Sequence, residues 1–502
     1  MRNRFSRQAK YISNGLSVII RLMEPSNRYK ILIISIILAF VPLLIRVGTA
    51  ADQKVVPSTM HRKFDPVQVP GELLSALHGK PTDSLRLFSY RNGAMAQMVY
   101  QIDERLANGT YIFELGVIKN PEKADHILHP QTLLVFRIAD TGDRAPQELW
   151  PSRDGVEIEL NDPTDGGKSW CYLLCFADKA PARIKQNTVS LEHWDPWKKS
   201  DLPFVVKGFS YIIEGMVNKI GNHYYKTALN KNFKVPPTAG GTGVNIIDGL
   251  RLRAFVDLFF GKSKIHIDET GLIGGIDAIT QGYIRGYGLQ WLTAALPMNI
   301  EGPRLYNDVF TYDTMVVAPM RVHIPIDPRH IITRAGIEYG YDLNEAAYGM
   351  KYYSPNCMEG VTIDGKNTDK KKAIPTKWAP WQIYTGPQGS LILRVSIAKE
   401  LLDQFKPRTD FIDDRSQAFP PETIPGSIGY ARTTVDITSL RPGMYNARIE
   451  WYFPPNFYKQ GGYDKDELKQ YFNILDAPIV IKAGGRSAKN EALNPPSLYP
   501  KR

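Results

Sequence analysis

Alternation of apolar and polar residues, in short runs broken by glycine, proline, asparagine and aspartate, constrains this chain more than any other feature. GVEIELND (155–162), TLLVFRIAD (132–140), GSLILRVSI (389–397) and YNARIEWYF (445–453) are such runs. A period of two sends successive side chains to opposite faces of a sheet, so the runs predict strands. Turn residues recurring at intervals of about ten predict antiparallel pairing in a sandwich. SLRLFSY, then Arg91-Asn92-Gly93, then MAQMVYQID reads as a hairpin over an Asn-Gly turn. Helices are few: one is expected over 397–405, and one over 464–472 with Asp464 as N-cap and Glu467 three residues on. GFSYIIEGMVNKI (208–220) reads as mixed.

Four regions follow from these signals: 1–51, an export signal or membrane anchor; 52–200, an N-terminal β-sandwich-like domain; 201–485, a larger antiparallel β domain; and 486–502, an extended tail. The first carries Arg2, Arg4, Arg7, Lys10, Arg21, Arg28 and Lys30 ahead of an apolar run from Ile31 to Ile45, closed by Arg46 and the small residues Gly48, Thr49, Ala50 and Ala51. That is the layout of an export signal, and a start at Met23 gives one of ordinary proportions. Fifteen apolar residues span about 22 Å as a helix, short of the roughly 30 Å of a hydrocarbon core, and Pro42 interrupts the run. Cleavage after Ala50 is the first expectation and an uncleaved anchor the second. Both place the bulk outside the cytoplasm, with membrane contact only through this segment.

The net charge of +11 comes largely from the same segment. Residues 1–50 hold eight basic side chains against Glu24 alone, which leaves 54 basic and 50 acidic residues elsewhere, a net of +4. No basic stripe suited to nucleic acid results. The one run, Lys370 to Lys372, reads as a solvated loop.

GKSWCYLLCF (167–176) holds two of the three cysteines. On a strand Trp170, Tyr172, Leu174 and Phe176 face one way and Cys171, Leu173 and Cys175 the other, and apolar character on both faces predicts a central strand. Residues four apart on a strand are about 13 Å apart, beyond the roughly 7 Å reach of a disulfide, so Cys171 and Cys175 cannot pair with each other. A bridge from either to Cys357 stays open.

Chemistry concentrates in LRLRAFVDLFFGKSKIHIDE (250–269). A two-residue turn at Gly261-Lys262 sets Asp257 opposite His266 and Phe255 opposite Asp268. Arg251, Arg253 and Asp257 then share a face with Lys264, His266 and Asp268. A carboxylate beside an imidazole suits acid–base work, and flanking guanidinium groups suit an acidic or polyol ligand. The candidate catalytic residues are therefore His266 as acid or base, Asp257 orienting it and Arg253 holding substrate. Arg251, Lys264, Asp268, Trp378 and Trp381 are the candidate ligand-binding residues. An exposed sheet face laced with ion pairs is the plainer reading of the same residues.

Asp125, His126 and His129 sit at a ligand-like spacing but lack a fourth partner nearby, and His323, Asp327 and His330 follow a strand in a proline-marked loop. No metal site is assigned. Trp194 and Trp197, and Trp378 and Trp381, form two W-x2-W pairs beside proline, suited either to sugar faces or to sealing a core. Local signatures of acyl, phosphoryl, dinucleotide and metalloprotease chemistry are missing, so no cofactor is expected.

MVYQIDERLANGTYIF, LLVFRIADTGDRAP, EIELNDPTDGGKSWCYLLCF, GLRLRAFVDLFF, DLNEAAYGMKYY and GVTIDG together resemble a group of exported bacterial β-rich proteins to which no activity is assigned. YQID, LLVFRIAD and APWQIYTGPQGSLILR are similar to segments of β-supersandwich proteins of the galactose-mutarotase and polysaccharide-lyase type. The first resemblance implies export and one continuous β-rich body. The second implies polar residues on a concave sheet face, where Arg253, Asp257 and His266 are expected. The sequence thus points to an envelope-associated binding or structural protein whose partner is a polysaccharide or an envelope protein. The alternative is a carbohydrate-active enzyme using the 251–268 face.

Overall fold

The structure is a computed structural model that describes residues 55–194, 201–220, 223–258, 262–296, 300–302, 304–324, 327, 332–422, 424–459 and 462–490. The export or anchor segment, Trp197, Gly261 and His330 lie outside the described residues. The described residues from Val56 onward form one compact unit.

An eleven-stranded antiparallel sheet is its spine. The strands run in the order Cys357–Thr362, Lys351–Ser354, Trp381–Gly386, Gly389–Ile397, Gly443–Tyr452, Met315–Ile324, Leu305–Thr311, Gly286–Leu296, Leu272–Gln281 and Leu115–Gly116, with Ile300–Glu301 attached to Gly286–Leu296. Alternation divides its side chains between two cores. Val309, Ala318, Leu391, Leu393 and Ile449 join Tyr339, Tyr341, Leu250 and Ile428 of a five-stranded sheet and Val206 and Ile213 of a four-stranded one. On the opposite face Tyr287, Leu289, Phe310, Val317, Ile392 and Tyr452 pack against Leu133 and Val135 and against Leu468, Tyr471 and Ile474. Segment 208–220, read as mixed, is mostly the strand Ile212–Ile220 of the four-stranded sheet, drawn into it by apolar partners on the first core.

The strand Leu133–Arg137 serves both of its faces. Leu133 and Val135 enter the core just described, while Leu134 and Phe136 enter a third core beneath the six-stranded sheet. That sheet contains the cysteine strand, Lys168–Cys175, between Leu85–Arg91 and Gly155–Asn161, and Ser169 through Cys175 are all buried. Cys171 and Cys175 belong to the third core, Cys357 belongs to the first, and all three are free. The Asn-Gly hairpin forms as expected, with Asn92 and Gly93 at φ 51° and 81° and Arg91 paired with Ala94. A second such hairpin, over Gly484-Gly485, pairs Val480–Ala483 with Arg486–Lys489, and its first strand pairs with Gly155–Asn161, leaving Arg486–Lys489 at the sheet edge. With Ser190–Glu192 in the four-stranded sheet and Leu115–Gly116 in the spine, three sheets draw strands from both sides of residue 200.

Arg285 pins the N-terminal strands to the spine. It is 1% exposed. Its Nε and Nη2 donate to Asp103 at 3.0 and 2.5 Å, Nη1 to the Tyr312 hydroxyl at 3.2 Å and Nη2 to that of Tyr111 at 3.1 Å. Gln101 donates to the other oxygen of Asp103 and accepts from the backbone N–H groups of Ile284 and Arg285. Gly282 makes room for that amide, since a Cβ there would lie 2.2 Å from Gln101 Oε1. A buried charge pair with this many additional hydrogen bonds costs far less than a bare one.

The run Lys370–Lys372 is not a solvated loop. It ends a single helical turn, Asp369–Lys372, in which Lys370 and Lys372 are exposed while Lys371 is 5% exposed and turned onto carboxylates. Helical spacing separates three adjacent lysines by about 100° each, so one can be buried while its neighbours are solvated.

The helix Lys465–Asp476 starts where capping predicts, with Asp464 accepting the N–H groups of Asp466 and Glu467 at 3.1 and 3.0 Å. Burial, reinforced by the charge of Asp464 and opposed by Lys459 and Lys63, pushes Glu467 up to about 7. The folded form then holds a proton that the unfolded chain releases, so this stabilisation is complete below about pH 4.5 and is lost as pH climbs through 7. Glu467→Gln is expected to leave the unfolding temperature at pH 4 nearly unchanged and to raise it at pH 8. Thermal melts of both proteins at the two pH values test this, and equal midpoints at pH 8 would refute it.

Candidate functional site

The sheet face proposed from sequence exists, but its register differs. Leu258 pairs with Ser263, so the connection is four residues long rather than two, and the pairing slides by two positions. Asp257 lies opposite Lys264 on one side and Arg334 on the other, while His266 lies opposite Phe255. A slide of two keeps every residue on its expected face but separates the carboxylate from the imidazole. The Asp257–His266 and Phe255–Asp268 pairings are therefore corrected.

The arginines of that face hold the fold. Arg251 donates to Asp248 at 2.5 Å, to Asp342 at 3.1 Å and to the Pro421 carbonyl at 2.6 Å. Arg253 donates to Glu269 at 3.0 Å and to the Phe419 carbonyl at 2.7 Å. Together they fasten the strand Ile247–Leu258 to the 419–421 loop. Asp268 caps the turn Glu269–Gly271, accepting from the N–H and hydroxyl of Thr270. Burial raises its carboxyl, but these bonds outweigh burial and leave it below the usual range. Lys264 and His266 are exposed.

The tryptophans are elsewhere. Trp381 begins a strand of the spine, opposite Arg394, and packs with Phe472 in the core on the side of the spine away from the five-stranded sheet. Trp378 is half-buried just ahead of the buried Ala379, and Trp194 packs against the first core. His129 pairs with Asp125 at 2.7 Å and His126 with Glu104 at 2.9 Å. Among the described residues no group of three or more His, Cys, Asp or Glu is placed to hold a metal.

A more organised polar surface lies on the spine itself, at the end of the face whose other end is sealed by the helix Lys465–Asp476. Register aligns Trp291, Tyr306, Arg321 and Asn446 across four strands, a row of about 14 Å at the usual strand spacing. Two residues along, on the same face, Leu289, Asp308, Pro319, Arg448 and Ser396 form the next row. Asn446, Met444 and His323 are exposed, so the rows open to solvent on that side.

Two buried carboxylates organise the arginines. Asp308, 1% exposed, accepts from the Tyr287 hydroxyl at 2.8 Å and pairs with Arg321. Burial pushes its carboxyl above the usual range, against the pull of Arg321 and Tyr287. Glu450, wholly buried, accepts from Tyr452 at 2.6 Å, Arg448 at 2.8 Å and Ser396 at 3.0 Å. Arg394 lies 3.9 Å from it and donates to Asp476 at 2.6 Å. Burial alone would lower Arg394, and the two carboxylates more than offset it. Each guanidinium is thus tied to a buried carboxylate, with the Arg321 and Arg448 side chains 12% and 20% exposed.

The outer end is shaped by a bulge. Register shifts between Ile276 and Ala278, and Asp277, the extra residue, accepts from Trp291 Nε1 at 3.1 Å. Burial raises the Asp277 carboxyl. Arg304 stands 4.2 Å from the Trp291 ring centre. The Asp277 carbonyl accepts the N–H groups of Val117 and Ile118, which present their side chains 58% and 48% exposed beside it. The sequence signal for this surface was Tyr306-x-Asp308-x-Phe310 and Arg448-x-Glu450-x-Tyr452, which set polar and aromatic groups on one face. Their joining needs strands about 140 residues apart, which no local pattern specifies.

No family model matches the chain, and no curated protein matches it in sequence. Among solved structures, the Slr1438 protein from Synechocystis sp. PCC 6803 is similar over 55% of this chain and 100% of that one, at 10% identity and a TM-score of 0.28. A heparan sulfate lyase HepC mutant from Pedobacter heparinus is similar over 62% of this chain and 43% of that one, at 10% identity and a TM-score of 0.27. The heparinase III BT4657 gene product is similar over 62% and 42%, at 9% identity and a TM-score of 0.25. The chain spans less than half the length of either lyase. At these scores no residue role carries across from any of the three.

Proposed function

We propose that the protein is an exported, envelope-associated glycan-binding protein whose ligand lies along the Trp291–Tyr306–Arg321–Asn446 row and the Arg448 row beside it. The observation that carries this is the pair of arginine forks, each held by a buried carboxylate that is itself bonded to a buried tyrosine hydroxyl. Forks fixed in advance match vicinal hydroxyls and carboxylates without the entropy of ordering free side chains. Tyr306, half-buried between Trp291 and Arg321, adds apolar surface for a sugar face. The basic and apolar composition of residues 1–51 supports the envelope setting.

Binding to a panel of neutral and uronate-containing oligosaccharides tests the reading. Arg448→Lys keeps the charge but not the fork, and it is expected to weaken binding about tenfold, as is Tyr306→Ala, roughly 1.4 kcal/mol each. Unfolding midpoints should stay near that of the parent. An intact protein that binds no member of the panel, or variants that bind as tightly as the parent, would defeat the proposal.

A further inference from the structure

The inward turn of Lys371 creates a second arrangement, independent of the glycan surface. Its Nζ contacts Asp364 Oδ1 at 2.5 Å, the Lys366 carbonyl at 3.0 Å and Asp413 Oδ2. The side chain of Asp413, in the strand Arg408–Asp414, is wholly buried. Its Oδ1 accepts the N–H groups of Gly365 at 2.9 Å and Gly429 at 3.1 Å, and its Oδ2 accepts that of Asp364 at 3.1 Å. A primary amine, a carboxyl group and two donors on one carboxyl oxygen are thereby held together out of water, with a second carboxylate at their solvent edge.

We infer that Lys371 and Asp413 become joined by a side-chain amide that the folded protein forms by itself, with Asp364 carrying the proton. The step balances without a co-reactant. The ammonium of Lys371 gives one proton to Asp413 Oδ2, and the freed Nζ lone pair attacks Asp413 Cγ. Oδ1 takes the negative charge of the tetrahedral intermediate, where the Gly365 and Gly429 N–H groups stabilise it. Asp364 removes a second proton from Nζ and delivers it to the departing Oδ2 hydroxyl, which leaves as water. The new C–N bond replaces the C–O bond, and the amide nitrogen keeps one hydrogen. Asp364, with its side chain 40% exposed, borders the route by which that water escapes.

Two physical effects favour the bond over the ion pair. Fixed proximity of amine and carboxyl raises their effective concentration to values unreachable in solution. An amide also removes both charges from a site where each is costly to desolvate. Asp364 keeps a charge, but at the surface, where water solvates it once the Lys371 ammonium is gone.

Mass spectrometry of the full chain, denatured and digested, tests this. The expected result is a branched peptide joining the segments around 371 and 413, lighter by one water than its two parts. Lys371→Arg should give linear peptides, and Asp364→Asn should give linear peptides while keeping a cooperative melt. Unlinked Lys371 and Asp413 in the parent protein after prolonged incubation at neutral pH would overturn the bond. A branched peptide formed as fast in Asp364→Asn as in the parent would overturn the role of Asp364.

Discussion

Arg285→Met is expected to destabilise the protein by about 3–5 kcal/mol, because it leaves Asp103 charged and buried without its partner. Gln101 would still donate to one oxygen of Asp103, but the other loses two charge-assisted bonds. The hydroxyls of Tyr111 and Tyr312 lose a donor as well. Urea unfolding of the parent and variant measures the loss. The companion variant Arg285→Met with Asp103→Leu removes both charges and should recover most of it, since paired apolar replacements of buried ion pairs are often neutral. A double variant as unstable as the single would mean that the cost lies in packing. The stacking of the guanidinium 4.9 Å from the Phe310 ring would then be the interaction that counts.

Glu450→Ala is expected to cost a similar amount, about 3–5 kcal/mol, and to abolish glycan binding as well. Without this carboxylate Arg448 loses its bond at 2.8 Å and the Tyr452 hydroxyl its acceptor, while Arg394 keeps Asp476. Glu450→Gln preserves shape and some hydrogen bonding, so its cost should fall to about 1–3 kcal/mol. The two effects separate in the amide variant. If Glu450→Gln folds with a modest loss yet binds at least tenfold more weakly, the carboxylate is what positions the Arg448 fork. Undiminished binding in that variant would show that the fork does not meet the ligand.

Local order was legible. Lys168–Cys175 reads as a strand apolar on both faces, and it lies between two others with all of Ser169–Cys175 buried. Asn92-Gly93 and the Asp464 cap act through one or two residues, so they formed as predicted. Tertiary choices were not legible in the same way. Whether Arg253 is free to bind or tied to Glu269 and the Phe419 carbonyl depends on a loop about 166 residues distant. The hairpin at 258–263 shows how narrow the margin is. Its faces were predicted correctly, because period-two alternation survives a slide of two, but its opposing pairs were not, because those depend on turn length.

The sequence by itself determined the strands, their inward faces, the antiparallel class and the incompatibility of Cys171 with Cys175 as a bonded pair, since each follows from the geometry of a few consecutive residues. Only the tertiary structure decided which polar residues became structural and which reached the surface. It turned Lys371 inward, tied Arg251 and Arg253 to internal carboxylates, and gathered Tyr306, Arg321 and Arg448 on one face of the spine. The physical reason is that a charge is buried or exposed according to the partners that distant strands bring to it, and alternation specifies a side chain's face without specifying its neighbour.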